Sequence, residues 1–105
     1  MNKDDRVIRD TFLTDYSFFK RYEQLSENAD GKNNESEENK FERFDIMENV
    51  EGLYRVAKKN AELISPDPEK FGFKKEEFDN NINDIDYIVM RIYEEREPYF
   101  PSTVN

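Results

Sequence analysis

Apolar side chains recur along this chain in three separate stretches, and within each the step is three or four residues. Ile8, Phe12, Tyr16, Phe19 and Tyr22 form the first row, with Val7, Leu13 and Leu25 beside it. That period places them on one stripe of an amphipathic helix, so a helix is predicted from about Asp4 to Leu25. Phe41, Phe44, Met47, Val50, Tyr54, Ala57, Ala61 and Ile64 repeat the spacing and predict a second helix from about Asn39 to Leu63. It must stop ahead of Ser65-Pro66-Asp67-Pro68, because a proline drives the residue before it out of the helical region. Gly52 inside it costs roughly 1 kcal/mol relative to Ala, which fits either a close helix crossing or a tolerated glycine. Phe78, Ile82, Ile85, Val89 and Ile92 predict a third helix from about Lys75 to Arg96, which Pro98 closes.

The connections carry other signals. Residues 26–38, SENADGKNNESEE, hold one Ala as their only apolar residue and predict a flexible acidic linker between helices one and two. Lys70-Phe71-Gly72-Phe73 is too brief for a paired strand. It reads as a hydrophobic loop within 66–74 whose two rings plug one end of the core. In the tail, 97–105, Tyr99 and Phe100 stand between Pro98 and Pro101. They are expected to fold back on a small core rather than to dock into a partner. No stretch alternates with a period of two, so the expected architecture is all-α, a single-domain three-helix bundle over residues 1–105.

Composition adds a limit and a direction. Only 35% of the 105 residues are hydrophobic and 39% are charged, yet nine Phe and six Tyr restore material for a core. The net charge of −9 is unevenly spread: residues 1–25 and 39–65 balance, the linker carries −4, and residues 66–105 carry −5. Such a chain is a poor ligand for nucleic acid or an anionic membrane, both of which require excess Lys and Arg. It is instead attracted to basic partners. The absence of cysteine excludes disulfides, thiolate metal sites and a cysteine nucleophile, and fits a reducing compartment. The first residues lead into no apolar segment and no run approaches the ~18 apolar residues of a membrane span, so the expected location is the cytoplasm.

The most suggestive constellation is acidic. Glu76, Asp79, Asp86, Glu94 and Glu97 fall at steps of three, seven, eight and three, which predicts one helix face opposite Phe78, Ile82, Ile85 and Val89. Glu77, Asp84 and Glu95 stand at its edges. This set of eight carboxylates is the candidate partner-binding surface, a column to be laid against a basic groove. Positions seven apart are separated by ~10 Å along a helix, whereas phosphates on one strand rise by ~3.4 Å. The likeness to a nucleic acid is therefore one of field and not of geometry. An ordinary solvated helix face yields the same pattern.

Other candidates are weaker. With Gly31 as the sixth position of a calcium loop, Ser26, Asn28, Asp30 and Glu37 fall at positions one, three, five and twelve. Position one requires Asp, however, and position eight is Asn33 where an apolar residue belongs, so no metal site is expected. Lacking His and Cys, the chain would have to rely on carboxylates, Lys, Tyr or Ser for catalysis, and none stands in a recognisable setting. Glu94 and Glu95 are adjacent and point ~100° apart on a helix, too far to share a substrate. Arg55, Lys58 and Lys59 are expected to complement the dipole at the end of helix two, with Glu51 and Arg55 as an i,i+4 pair.

These readings predict a non-enzymatic protein-binding protein without cofactor or metal. The best fit is a phage or mobile-element inhibitor, a decoy occupying the basic surface of a nuclease or another nucleic-acid-binding host protein. Abundant Asn, Lys, Glu, Ile and Tyr, typical of AT-rich genomes, are associated with such products. The alternative is a phage assembly factor or chaperone, or a helical subunit that forms homo-oligomers, since fifteen rings exceed what a small bundle readily covers.

Overall fold

The first turn of a helix leaves amides without partners, and helices begin where something satisfies them. The Asn2 side chain does so for the first helix, accepting from the Asp5 amide at 2.8 Å. Ser36 does so for the second, its hydroxyl accepting from the Asn39 amide at 3.1 Å, with Glu37 and Glu38 in the turn that follows. A computed structural model describes residues 1–29 and 35–101. It comprises α1 (Lys3–Ala29), α2 (Glu37–Ile64), a 3-10 turn (Pro68–Phe71) and α3 (Lys75–Arg96), with no strand among the described residues. The protein is an all-α three-helix bundle.

Two boundaries differ from those read in the sequence. α1 runs four residues past Leu25, because Ser26 is buried and its hydroxyl donates to Glu95 of α3 at 2.9 Å. α2 starts two residues before Asn39, at the Ser36 cap. Residues 26–29 and 37–38 of the expected linker are therefore helical, and residues 30–34 lie outside the described residues.

Cross-bundle pairs fix the directions. Arg21 meets Glu42 at 2.9 Å, which runs α1 against α2. Tyr16 reaches Asp84 and Tyr22 reaches Glu95, so α1 and α3 run the same way, while Tyr54 to Asp86 and Arg96 to Met47 set α2 against α3. Phe12, Phe19, Tyr22 and Leu25 of α1, Met47, Val50 and Ile64 of α2, and Ile85, Ile88 and Ile92 of α3 form the centre. Each large apolar side chain so buried contributes about 1.5–3 kcal/mol. The stripes read in the sequence are wider than the packed contact, and Val7, Leu13 and Phe41 face solvent.

Both ends of the bundle are closed by aromatic rings. At one, Phe73 lies edge-on to Phe12 at 5.8 Å and 5.5 Å from Phe78, and Phe71 is buried beside them, as the two-ring plug requires. Gly72 sits between the two rings with φ of 83°, a left-handed turn that glycine adopts without strain. At the other end the tail folds back: Tyr99 stands edge-on to Phe44 at 4.7 Å, and Phe100 packs against the core. Residues 102–105 lie outside the described residues. Gly52 marks no close crossing, since a Cβ there would meet nothing within 4 Å.

Candidate partner-binding face

Helix α3 carries its carboxylates on both sides of a buried stripe, and the neighbouring helices decide which of them stay free. Asp84 accepts from the Tyr16 hydroxyl of α1 at 2.8 Å, and Asp86 accepts from the Tyr54 hydroxyl of α2 at 2.8 Å. Burial, and then the hydrogen bond to Asp86, pushes the Tyr54 phenol up to about 12. Tyr16 is raised for the same two reasons in the same order.

Glu95 is the most heavily engaged. It accepts from the Tyr22 hydroxyl at 2.5 Å, the Ser26 hydroxyl at 2.9 Å and the Arg91 guanidinium at 2.7 Å, and Arg91 also donates to Ser26 at 3.0 Å. Burial, the strongest single influence on Glu95, pulls its pKa upward. Three donors together outweigh that influence and hold the carboxyl below its ordinary value. The Tyr22 phenol responds in the opposite sense, raised well above the usual tyrosine range by burial and by Glu95.

The sequence therefore overstates the continuity of the acidic column. Asp84, Asp86 and Glu95 are half-buried acceptors that tie α3 to its neighbours. Glu76, Glu77, Asp79, Glu94 and Glu97 are exposed, in two groups near the ends of α3. Asp79 lies 3.5 Å from Lys75, an exposed pair of the kind that contributes little. Glu76, Glu77, Glu94 and Glu97 pair with no cation among the described residues.

Between those two groups the outer face passes the polar Asn83 and Asp86 and then turns apolar from Tyr87 to Tyr93. Tyr87 is 63% exposed, Met90 65% and Tyr93 42%. The spacing was available in the sequence: from Glu76 to Glu97, steps of three and four pass through Asp79, Asn83, Asp86, Met90 and Tyr93. That is a heptad seam beside the one that faces the core. Along the seam an open groove of about 410 Å³ runs between α2 and α3, floored by Ala61, Phe78 and Ile82.

The remaining candidates resolve locally. The calcium-loop reading loses its first position, since Ser26 is helical and donates to Glu95, while Asp30, Gly31 and Asn33 lie outside the described residues. Arg55 does pair with Glu51, at 3.0 Å, and Lys58 lies over the Tyr54 ring at 5.8 Å. Neither these two nor Lys59 reaches the last turn of α2, which ends at Ile64, so they do not complement its dipole. One acidic group was not singled out at all. Asp15 of α1 is 7% exposed, its Oδ2 has no hydrogen-bond partner among the described residues, and burial raises its pKa.

No helix among the described residues is long and apolar enough to cross a membrane. Compared with known proteins, the chain matches no family model, no curated protein and no solved structure.

Proposed function

We propose that this protein is a non-catalytic binding module whose α3 engages a basic surface on another protein, a nuclease or other nucleic-acid-binding protein being the fitting target. Within that reading it acts as a phage or mobile-element inhibitor in the cytoplasm. The observation that supports it most is the set of exposed carboxylates without cationic partners among the described residues, Glu76, Glu77, Glu94 and Glu97, on the part of the chain that holds −5 of the net charge. Unneutralised charge of one sign accelerates encounter with the opposite sign and disfavours wrong partners.

Immobilised protein and its Glu76→Gln, Glu77→Gln, Glu94→Gln, Glu97→Gln variant, each exposed to source-cell lysate at low and high salt, test the reading. The expected result is capture of a nucleic-acid-binding protein at low salt only, absent with the variant, and displaced by duplex DNA. Capture that is indifferent to salt and to the four amides would sink it. A second reading, an assembly subunit or chaperone that self-associates, is favoured by Phe41, 76% exposed on α2. Size-exclusion with light scattering distinguishes the two, because the inhibitor reading expects no large oligomer.

A further inference from the structure

We infer that the outer seam of α3 is a docking site for one basic amphipathic helix, with Met90 and Tyr93 as its centre and the carboxylates at either end as its clamps. The inference rests on the proposed function and sharpens it. It names the apolar middle as the source of affinity and a helix as the form of the partner.

The geometry of the row carries the argument. Glu76, Asp79, Met90, Tyr93 and Glu97 share one register of alternating steps of three and four, the spacing by which a straight helix meets another lengthwise. Apart from Asp86, which is held by Tyr54, every position of that register is exposed. Tyr87 and Glu94 flank it at the next position round the helix. The apolar segment from Tyr87 to Tyr93 is only ~9 Å long at 1.5 Å per residue. That is narrow for a flat interface of ~800 Å² per partner, but suited to a few side chains of one helix.

Charge then selects the occupant. Desolvated aromatic and methionine side chains at the centre of a contact, ringed by charge, form the usual anatomy of an energetic hot spot. Here the ring carries more acid than base at both ends: Glu76 and Asp79 at one, with Lys75 3.5 Å from Asp79, and Glu94 and Glu97 at the other, with the Arg96 guanidinium over the Tyr93 ring at 5.3 Å. A facing helix must therefore carry Lys or Arg outside an apolar middle. A second copy of this chain would set carboxylate against carboxylate, and an anionic lipid surface would be repelled.

A defined probe tests this: a synthetic helical peptide of three heptads (~21 residues) with leucine at the central facing positions and lysine around them. Oligolysine of equal charge is the control, and binding is read by fluorescence anisotropy at low salt. The leucine–lysine helix is expected to bind at least about tenfold more tightly than oligolysine. Tyr87→Ala, Met90→Ala, Tyr93→Ala together should remove about tenfold or more, with helicity unchanged by circular dichroism. Met90→Lys alone, at an exposed site, should weaken binding by repulsion, and Phe41→Ala on α2 should leave it unchanged.

Equal binding of both peptides, indifferent to the apolar substitutions, would overturn the inference while leaving the acidic reading intact. No binding of either peptide would overturn both. A dimer of the protein alone that these substitutions dissociate would assign the seam to a second copy, and the inference would fall.

Discussion

Glu94 and Glu95 are neighbours in sequence, identical in chemistry, and opposite in role. Glu95 turns toward α1 and is met by three donors, Tyr22, Ser26 and Arg91, whereas Glu94 faces solvent and meets none among the described residues. The same division separates Asp84 and Asp86 from Glu76 and Glu97. A carboxylate on α3 acts inside the fold only where an adjacent helix brings a hydroxyl or guanidinium to it. The free ones are those left over after that matching. Asp15 of α1 is the contrasting case, since it turns inward and its Oδ2 has no hydrogen-bond partner among the described residues.

The largest test of this contrast is truncation at the two adjacent positions. Glu95→Ala leaves the Tyr22 and Ser26 hydroxyls without their acceptor and removes one contact of Arg91, and should cost about 2–3 kcal/mol. Glu94→Ala should change stability by less than about 0.5 kcal/mol. Urea unfolding followed by circular dichroism measures both, and equal losses would break the comparison.

Asp15→Leu should stabilise the protein by about 1–3 kcal/mol, because it removes a buried carboxyl oxygen that has no hydrogen-bond partner among the described residues. The sign in pH follows from burial raising this pKa. Stability associated with Asp15 is full below its unfolded value and is lost as pH rises through its raised folded value. Glu95 has the reverse sign: its contribution is present above the ordinary glutamate pKa and lost as pH falls through the lowered one. Melting curves taken as pH rises from the ordinary aspartate value should therefore show a fall in stability from Asp15 that the leucine variant no longer shows.

Smaller effects refine the picture. Tyr54→Phe deletes one hydroxyl bond to a half-buried acceptor and should cost about 1 kcal/mol. With its phenol pushed up to about 12, the wild-type contribution of that hydroxyl is full below the ordinary tyrosine value of 10.0 and is lost as pH rises from there through about 12. The least effect is expected from Glu76→Gln with Glu97→Gln, below about 0.5 kcal/mol in stability. The same pair should still reduce association with a basic probe, measured as the slope of binding against salt.

Much of the fold was legible because burial repeats with the helical period. Phe12, Phe19 and Tyr22, Met47 and Val50, and Ile85 and Ile92 all fall inside, as their spacing requires. The end of α1 was not legible, since Ser26 is polar and belongs inside only through Glu95 and Arg91, more than sixty residues away. The start of α2 was marked by Ser36 ahead of two glutamates, a capping signal hidden within a polar stretch. At the acidic face a wheel of α3 gives each carboxylate an angle but cannot say what faces it. The missing information lay in Tyr22 inside the core and Tyr16 and Tyr54 at its edge, rings whose hydroxyls need acceptors. Tyr87, Met90 and Tyr93, in the gap between the acidic groups, carry no charge and show only as a second helical spacing beside the core stripe.

The three phenol–carboxylate contacts give the bundle an optical signature. The chain has no Trp, so its ultraviolet emission comes from six tyrosines. A carboxylate that accepts from a phenol also accepts its proton in the excited state and quenches it. Tyr16, Tyr22 and Tyr54 are therefore expected to be dim for as long as α3 is docked, and Tyr87 on the outer seam, with Tyr93 beside it, to be brighter. Separation of α3 from its neighbours brightens the first three, and occupation of the seam changes the fourth, so one unlabelled sample distinguishes unfolding from binding.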